Sequence, residues 1–181
     1  MTSTQKRVTV GSILLGSLSL VPAFGCSDSG RSVAPTTRFR GQPEASFTTA
    51  TNPPPTVIAR STFPNALNLN RETSGWHFNM KIMPSTDIAM LTVKFPAGTH
   101  SGWHTNPGPV LLRVITGTVT FYEGDDPSCT PIVRTAGQTY VETGEVPHIA
   151  RNETGDYAED LAILFAPVGA PLRIDQPSPG N

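Results

Sequence analysis

The stretch from Phe95 to Gly117 reads FPAGTHSGWHTNPGPVLLRVITG, and it decides the fold. It contains two of the four histidines of the chain, then a turn rich in Gly and Pro, then an apolar run typical of a buried strand. Residues two apart on a strand face the same side of a sheet, so side chains at 104 and 106 are expected to point together. The stretch therefore predicts a polar site on a strand, followed by a tight turn and a buried return strand.

Alternating apolar and polar residues predict further short strands outside this stretch. The alternation is clear in residues 76–82, 91–95 and 161–165, and no segment of ten or more residues has a convincing 3.6-residue period. The chain also contains 18 Pro and 16 Gly, which suit frequent turns. Six or more short strands separated by turns predict an all-β sandwich or barrel, in which closure of the sheet hides its edges.

The spacing of residues in two segments resembles the two motifs of the cupin superfamily, in particular its small single-domain conserved-barrel (type-2) members. The matching positions are Gly98, His104, Asn106, Val110 and Gly117 in the first motif, and Gly137, Thr143, Glu145, His148 and Asn152 in the second. The resemblance covers roughly residues 75 to 172. It implies one double-stranded β-helix, or jelly-roll, barrel, which we place at residues 57–181.

The same resemblance implies a metal site with substitutions. In cupins three histidines and a glutamate bind a divalent metal, and His104 and His148 occupy two of the histidine positions. The remaining histidine position is Asn106, whose amide oxygen is a weak ligand, and the glutamate position is Val110, which cannot ligate. His100 has the same parity as 104 and is a candidate replacement. Imidazole and carboxylate ligands suit Fe, Mn, Ni, Zn or Cu.

Two functions stay open at this point. The first is binding of a small molecule inside the barrel, with His104, Asn106 and His148 as polar anchors. The second is a metal-dependent oxygenase or isomerase acting on a small organic substrate, with His104, His148 and one of Asn106 or His100 as ligands. The missing glutamate favours binding, although the fold alone cannot choose between the two.

Four other side chains are candidates for the interior. Trp103 is expected either to line the ligand pocket or to pack on the barrel wall, and His77 either to line the barrel or to face solvent. Glu142 and Glu145 precede the second motif histidine and either could supply a carboxylate, but we expect solvated turn acids.

The first twenty-six residues have the layout of a secretory signal. Lys6 and Arg7 precede an acid-free, mostly apolar run, which is shorter than the roughly twenty residues of a membrane-spanning helix. Residues 23–27 resemble a lipoprotein box, so we expect Cys26 to be lipidated and to anchor an exported protein in the cell envelope, on the periplasmic or outer surface. Ordinary cleavage, which would give a secreted protein, is the alternative.

The other cysteine bears on the same choice. If Cys26 is lipidated, Cys129 is a lone thiol, which is the interpretation we prefer; otherwise the two cysteines could pair in an oxidising compartment.

Residues 27–56 are rich in Ser, Thr, Pro and Gly and predict a disordered tether between the signal and the barrel.

Composition limits the partners. The formal net charge is −1 and no cluster of Lys and Arg is present, so nucleic acid is not an expected partner. We expect a small-molecule ligand, and membrane contact only through the lipid anchor. The sequence does not set the oligomeric state, and a homodimer is compatible with it.

Overall fold

The structure is a computed structural model that describes residues 47–179. The predicted signal with its lipidation site at Cys26, and residues 27–46 of the predicted tether, lie outside the described residues. Within 47–179 the chain forms twelve strands and no helix. The strands are β1 Thr56–Phe63, β2 Leu67–Thr73, β3 Trp76–Ile82, β4 Thr86–Phe95, β5 His104–Thr105, β6 Val110–Thr116, β7 Thr118–Glu123, β8 Ile132–Thr135, β9 Thr139–Glu142, β10 His148–Arg151, β11 Ala158–Pro167 and β12 Ile174–Asp175.

Ten of these strands form two five-stranded antiparallel sheets. The first has the order β1-β4-β11-β6-β9 and the second the order β12-β5-β10-β7-β8. Strands that follow one another in the chain repeatedly cross from one sheet to the other, which is the double-stranded β-helix, or jelly-roll, arrangement. The predicted all-β jelly-roll barrel is confirmed.

The hydrophobic core lies between the two sheets. Along β11 every second side chain from Ala158 to Ala166 is buried, as expected for a strand with one face on the core. The large buried side chains include Phe95, Val110 and Phe121. Burial of each such side chain stabilises the fold by roughly 1.5–3 kcal/mol, so the packed interior holds the two sheets together.

Gly117 makes the turn that ends the first motif. It lies between β6 and β7 with a φ of 71°, in the left-handed region that favours glycine. A Cβ atom at this position would lie 2.3 Å from the backbone oxygen of Tyr157. The glycine is therefore required both by the turn and by the close approach of a neighbouring loop.

The β2–β3 hairpin is a separate two-stranded sheet. Its residues are mostly exposed, and the Trp76 ring stacks on that of Phe78 with 5.8 Å between centroids. The alternation at 76–82 thus correctly predicted a strand, but both faces of that strand are largely solvated.

Residues 47–56 precede the boundary predicted at residue 57, and several of them contact the barrel. The backbone N–H groups of Thr51 and Asn52 both donate to the carbonyl of His100, and Phe47 forms a β-bridge with Pro177. These hydrogen bonds hold residues 47–56 against the barrel, so this part of the predicted tether belongs to the fold. We call residues 47–55 the N-terminal strap.

Cys129 is disulfide-bonded, so the preferred interpretation of this residue as a lone thiol is wrong. Between residues 47 and 179 no helix has the length and apolar character needed to cross a membrane.

Candidate functional site

Strands β5 and β10 place His104 and His148 side by side. The two residues are directly paired across the strands, and their rings meet edge to face with 4.5 Å between centroids. Both side chains are buried. The structure therefore brings one histidine of each motif into a shared internal site.

Backbone carbonyls fix the orientation of both rings. The Nδ1 atom of His104 lies 2.9 Å from the oxygen of Gly102, and Nδ1 of His148 lies 2.8 Å from the oxygen of Val146. A carbonyl oxygen only accepts hydrogen bonds, so each Nδ1 carries a hydrogen and donates it. In a neutral ring this leaves Nε2 with a free lone pair.

Different charges surround the two histidines. Burial, followed by the charges of His148 and Arg173, lowers the pKa of His104 to about 3, so this ring is neutral at physiological pH. Burial also lowers the pKa of His148, but the neighbouring Glu142 carboxylate outweighs burial and gives a raised pKa. Of the two rings, His148 is the one that holds a second proton more readily.

Glu142 is a site residue that sequence reasoning misplaced. It lies on β9 directly opposite Val110 on β6, and its side chain is only 6% exposed. Its Oε2 atom lies 3.2 Å from Nε2 of His148, within ion-pair distance but without the alignment of a hydrogen bond. The expectation of a solvated acid is wrong for Glu142, whereas Glu145 is exposed as expected.

The pairing of β6 with β9 explains this error. Directly opposed residues of antiparallel strands place their side chains on the same face, so Glu142 brings a carboxylate beside the position where the motif has Val110. Tyr140 and Glu142 lie on the same face of β9, opposite the exposed Val141, and this alternation was a signal that Glu142 faces the interior. It did not identify the neighbouring strand, because pairing between distant segments is set by the tertiary fold.

Asn106 presents an acceptor to the interior. Its Nδ2 atom donates to the carbonyl of Leu172 at 2.9 Å. Its Oδ1 atom is buried and has no hydrogen-bond partner among residues 47–179. Leaving a buried acceptor unsatisfied costs about 1–3 kcal/mol, so this atom marks a position where a bound group would be stabilised.

A cavity of about 690 Å³ adjoins these side chains. Its wall is mainly apolar and includes Leu91, Leu112 and Leu164, and the N-terminal strap with Leu172 and Arg173 forms part of its lining. The polar lining groups among the described residues are Asn52, Ser101, His104, Asn106, Glu142 and Arg173. The site is thus an apolar chamber with polar side chains from both sheets and from the two flanking segments.

Four predicted site residues within residues 47–179 do not line this cavity: His148, Trp103, His77 and His100. His148 lies beside His104 and Glu142 but is not part of the cavity wall. Trp103 is fully buried in the packed interior, and His77 is exposed on the β2–β3 hairpin. The Nδ1 atom of His100 accepts a hydrogen bond from the N–H of Gly102 at 3.1 Å, in the loop before β5. The parity argument for His100 does not apply, because Gly102 bends the chain with a φ of 68° and the strand begins only at 104.

The two motifs frame this site. Residues 98–117 run from the loop before β5 to the β6–β7 turn, and residues 137–152 run from the β8–β9 turn through β10. Each motif delivers its histidine to the interior of a two-sheet jelly roll. The chain has the cupin fold. This assignment rests on the strand order and on the positions of the two motifs.

Solved structures similar to this barrel include proteins described as cupin or double-stranded β-helix domains, and an oxalate oxidase. A protein with a double-stranded β-helix domain from Klebsiella pneumoniae is 13% identical with a TM-score of 0.43, over 62% of this chain and 84% of that chain. A cupin 2 conserved barrel domain protein from Leptotrichia buccalis is 22% identical with a TM-score of 0.39, over 55% of this chain and 40% of that chain. An oxalate oxidase is 19% identical with a TM-score of 0.39, over 51% of this chain and 44% of that chain.

The chain thus spans less than half the length of the last two structures. Models of known protein families and curated protein sequences give no match.

Proposed function

We propose that this cupin barrel binds a small organic molecule in the cavity between its sheets. The observation that carries the proposal is the unsatisfied Oδ1 atom of Asn106, which is buried at the wall of a chamber of about 690 Å³. Ligand sites in proteins are typically apolar clefts of about 300–1,000 Å³ with a few polar groups that fix orientation. The cavity has both properties, and its polar side chains come from several elements of the fold.

The arrangement supports an apolar body and a polar head for the ligand. Leu91, Leu112 and Leu164 offer apolar contact, while His104, Asn106 and Glu142 offer hydrogen-bonding atoms. The N-terminal strap contributes Pro53, Pro54 and Pro55, which have no N–H and therefore cover the cavity by apolar contact.

A cavity-filling variant tests the proposal. Ala162 is buried at the cavity wall, so Ala162→Phe is expected to occupy the chamber and abolish ligand binding. Val141→Phe, on the exposed face of β9, is the matched control and should bind normally. The assay is a thermal-shift screen of small molecules against the purified protein, with circular dichroism to verify that each variant is folded.

A ligand present at one hundred times its dissociation constant stabilises the native state by about 2.7 kcal/mol. That corresponds to roughly 8 °C in Tm for a chain of this size. Binding that survives in a folded Ala162→Phe variant would place the ligand elsewhere and refute the proposal.

The second candidate is a metal-dependent oxygenase or isomerase, and one observation favours it. Glu142 brings a carboxylate directly opposite Val110, so the interior holds two imidazoles, a carboxylate and the amide oxygen of Asn106. This donor set suits a divalent transition metal. As the side chains stand, however, no three His, Cys, Asp or Glu residues in the described part of the chain are grouped to hold an ion. The residues present do not fit a metal site, and we assign no step to one.

Elemental analysis distinguishes the two candidates. The purified protein should be incubated with Fe, Mn, Ni, Zn and Cu in turn and compared with the His104→Ala/His148→Ala double variant. Near-stoichiometric metal that the double variant loses would support the second candidate. Ligand binding that persists after chelation would support the first.

We also propose that the protein is exported. The basic and apolar start of the sequence supports this, and so does the disulfide at Cys129, because disulfides persist in oxidising compartments. The chain has two cysteines, and one sulfur cannot carry both a lipid and a disulfide. Lipid anchoring through Cys26 and an intramolecular disulfide are therefore mutually exclusive.

Intact mass spectrometry of protein from membrane and soluble fractions tests both points. A lipid anchor predicts a mature chain starting at Cys26 with added acyl mass, which Cys26→Ser would release from the membrane fraction. An intramolecular disulfide predicts a soluble chain that gains two hydrogens on reduction. Protein that keeps residues 1–25 and stays in the cytoplasm would refute export.

A further inference from the structure

The hydrogen-bonding atoms that line the cavity share one chemical property. His104 donates through Nδ1 to the carbonyl of Gly102, and Asn106 donates through Nδ2 to the carbonyl of Leu172. In both side chains the donor is directed to the backbone, which leaves the acceptor atom for the cavity. These acceptors are Nε2 of the neutral His104 ring and Oδ1 of Asn106.

The other neutral polar side chains of the lining also direct their donors to the backbone. The hydroxyl of Ser101 donates to the carbonyl of Gly102 at 3.0 Å and accepts from the N–H of Ala150 at 3.0 Å, so it offers the cavity no donor. The amide nitrogen of Asn52 donates to the carbonyl of Lys94 at 3.3 Å. Glu142 adds a carboxylate, which only accepts hydrogen bonds when ionised. The polar part of this cavity is therefore rich in acceptors, and its occupant must supply the donors.

The charges of the lining favour a neutral occupant. Among described residues, the charged side chains that line the cavity are Glu142 and Arg173, and their formal charges cancel. Nε of Arg173 already donates to Asp175 at 2.6 Å. A carboxylate ligand would face Glu142 and the lone pairs of His104 and Asn106, which repel it. A cationic ligand would face the guanidinium of Arg173.

We infer that the ligand is a neutral molecule that carries at least two neighbouring hydroxyl groups on an apolar body. Each hydroxyl hydrogen bonds one of three acceptors, which are Oδ1 of Asn106, Nε2 of His104 and the carboxylate of Glu142, and the body contacts the leucines of the wall. This inference rests on the proposed function, because it names the class of ligand for the same cavity.

Four probes with one body and different heads test the class. They are 1-phenyl-1,2-ethanediol, its dimethyl ether, phenylacetate and phenethylammonium, measured by isothermal titration calorimetry on the purified protein in the presence of EDTA. The diol is expected to bind at least tenfold more tightly than each of the other three, because it alone is neutral and offers two O–H donors.

Two variants connect this preference to the lining. Asn106→Leu keeps a similar volume but removes the acceptor, so the diol should lose about tenfold in affinity while the ether changes little. Glu145→Gln is the matched control, because Glu145 is an exposed acid near Glu142 in sequence and should leave both affinities unchanged.

The outcomes separate failure of the inference from failure of the proposed function. Phenylacetate or phenethylammonium could bind more tightly than the diol, with Ala162→Phe abolishing that binding. This result would overturn the ligand class and keep the cavity as the site. Diol binding that Ala162→Phe leaves intact would overturn the proposed site itself. Diol binding that requires added Zn²⁺ and disappears with EDTA, or no diol binding at millimolar concentration, would overturn the inference.

Discussion

Replacing Asp160 by asparagine is expected to stabilise the protein at neutral pH and to change little at acidic pH. Asp160 lies on β11 between the buried Ala158 and Ala162, and its side chain is 1% exposed. Its Oδ1 atom has no hydrogen-bond partner within the described region. Burial, followed by the charges of Glu142 and Glu159, raises the pKa of this carboxyl well above its ordinary value of 3.8.

The sign of the pH dependence follows from where the proton is held. In the unfolded chain the carboxyl loses its proton near pH 3.8, whereas in the folded protein it keeps the proton to higher pH. Stability is therefore greatest below the unfolded pKa, falls as the pH rises towards the folded pKa, and is constant above it. Each unit by which the folded pKa is raised removes about 1.4 kcal/mol from the free energy of unfolding.

An asparagine at this position cannot ionise, so it avoids the loss. We expect a gain on the order of 1–3 kcal/mol at pH 7.5, or roughly 3–9 °C in Tm, because an unsatisfied buried carboxylate costs more than the neutral amide that replaces it. At pH 3 the gain should disappear, because the Asp160 carboxyl is then protonated in the folded and in the unfolded chain.

The assay is urea unfolding followed by circular dichroism at a series of pH values, with the disulfide intact. Asp156→Asn is the matched control, because Asp156 lies in the exposed loop before β11 and its replacement should leave the pH dependence unchanged. If the Asp160→Asn variant is less stable than the parent by the same amount at pH 7.5 and at pH 3, ionisation of Asp160 does not oppose folding and the prediction is wrong.

Three further changes have defined outcomes. Glu142→Gln should lower the pKa of His148, because the substitution removes the carboxylate charge that raises this pKa. An unchanged NMR titration of the His148 ring would contradict its pairing with Glu142. Gly117→Ala should destabilise the fold by more than about 2 kcal/mol in urea unfolding, since it combines a left-handed φ with a steric clash. Gly75→Ala, which has a φ of 82° and open space around it, should cost only about 1 kcal/mol and serves as its control. Asn152→Ala should lower the unfolding free energy by roughly 2–4 kcal/mol, because its buried amide bonds two backbone carbonyls at 2.8 and 2.6 Å; a loss below 1 kcal/mol would argue against this role.

The sequence by itself predicted the fold class and the position of the site. Period-two alternation depends only on neighbouring residues, because successive side chains of a strand point to opposite faces. The glycines of the two motifs are equally local signals, as Gly117 illustrates with its left-handed φ. The prediction that residues 98–117 and 137–152 share one polar interior came from the resemblance of their spacing to the two cupin motifs.

Only the tertiary structure decided which side chains share that interior. Glu142 meets His148 because β9 pairs with β6 while β10 pairs with β5 and β7, and such long-range pairing leaves no mark in local periodicity. The same holds for Leu172, whose carbonyl accepts a hydrogen bond from the amide of Asn106, 66 residues earlier in the chain.

The stretch 95–117 therefore predicted where a site lies, and the pairing of distant strands determined its chemistry. The sequence predicted His104 and Asn106 as neighbours on one strand, whereas β5 ends at Thr105 and Asn106 begins the turn after it. Their donors turn to backbone carbonyls and their acceptors to a cavity, because side-chain hydrogen bonds are fixed by what the folded chain brings alongside. The partner of Asn106, the carbonyl of Leu172, comes alongside only when the barrel is folded.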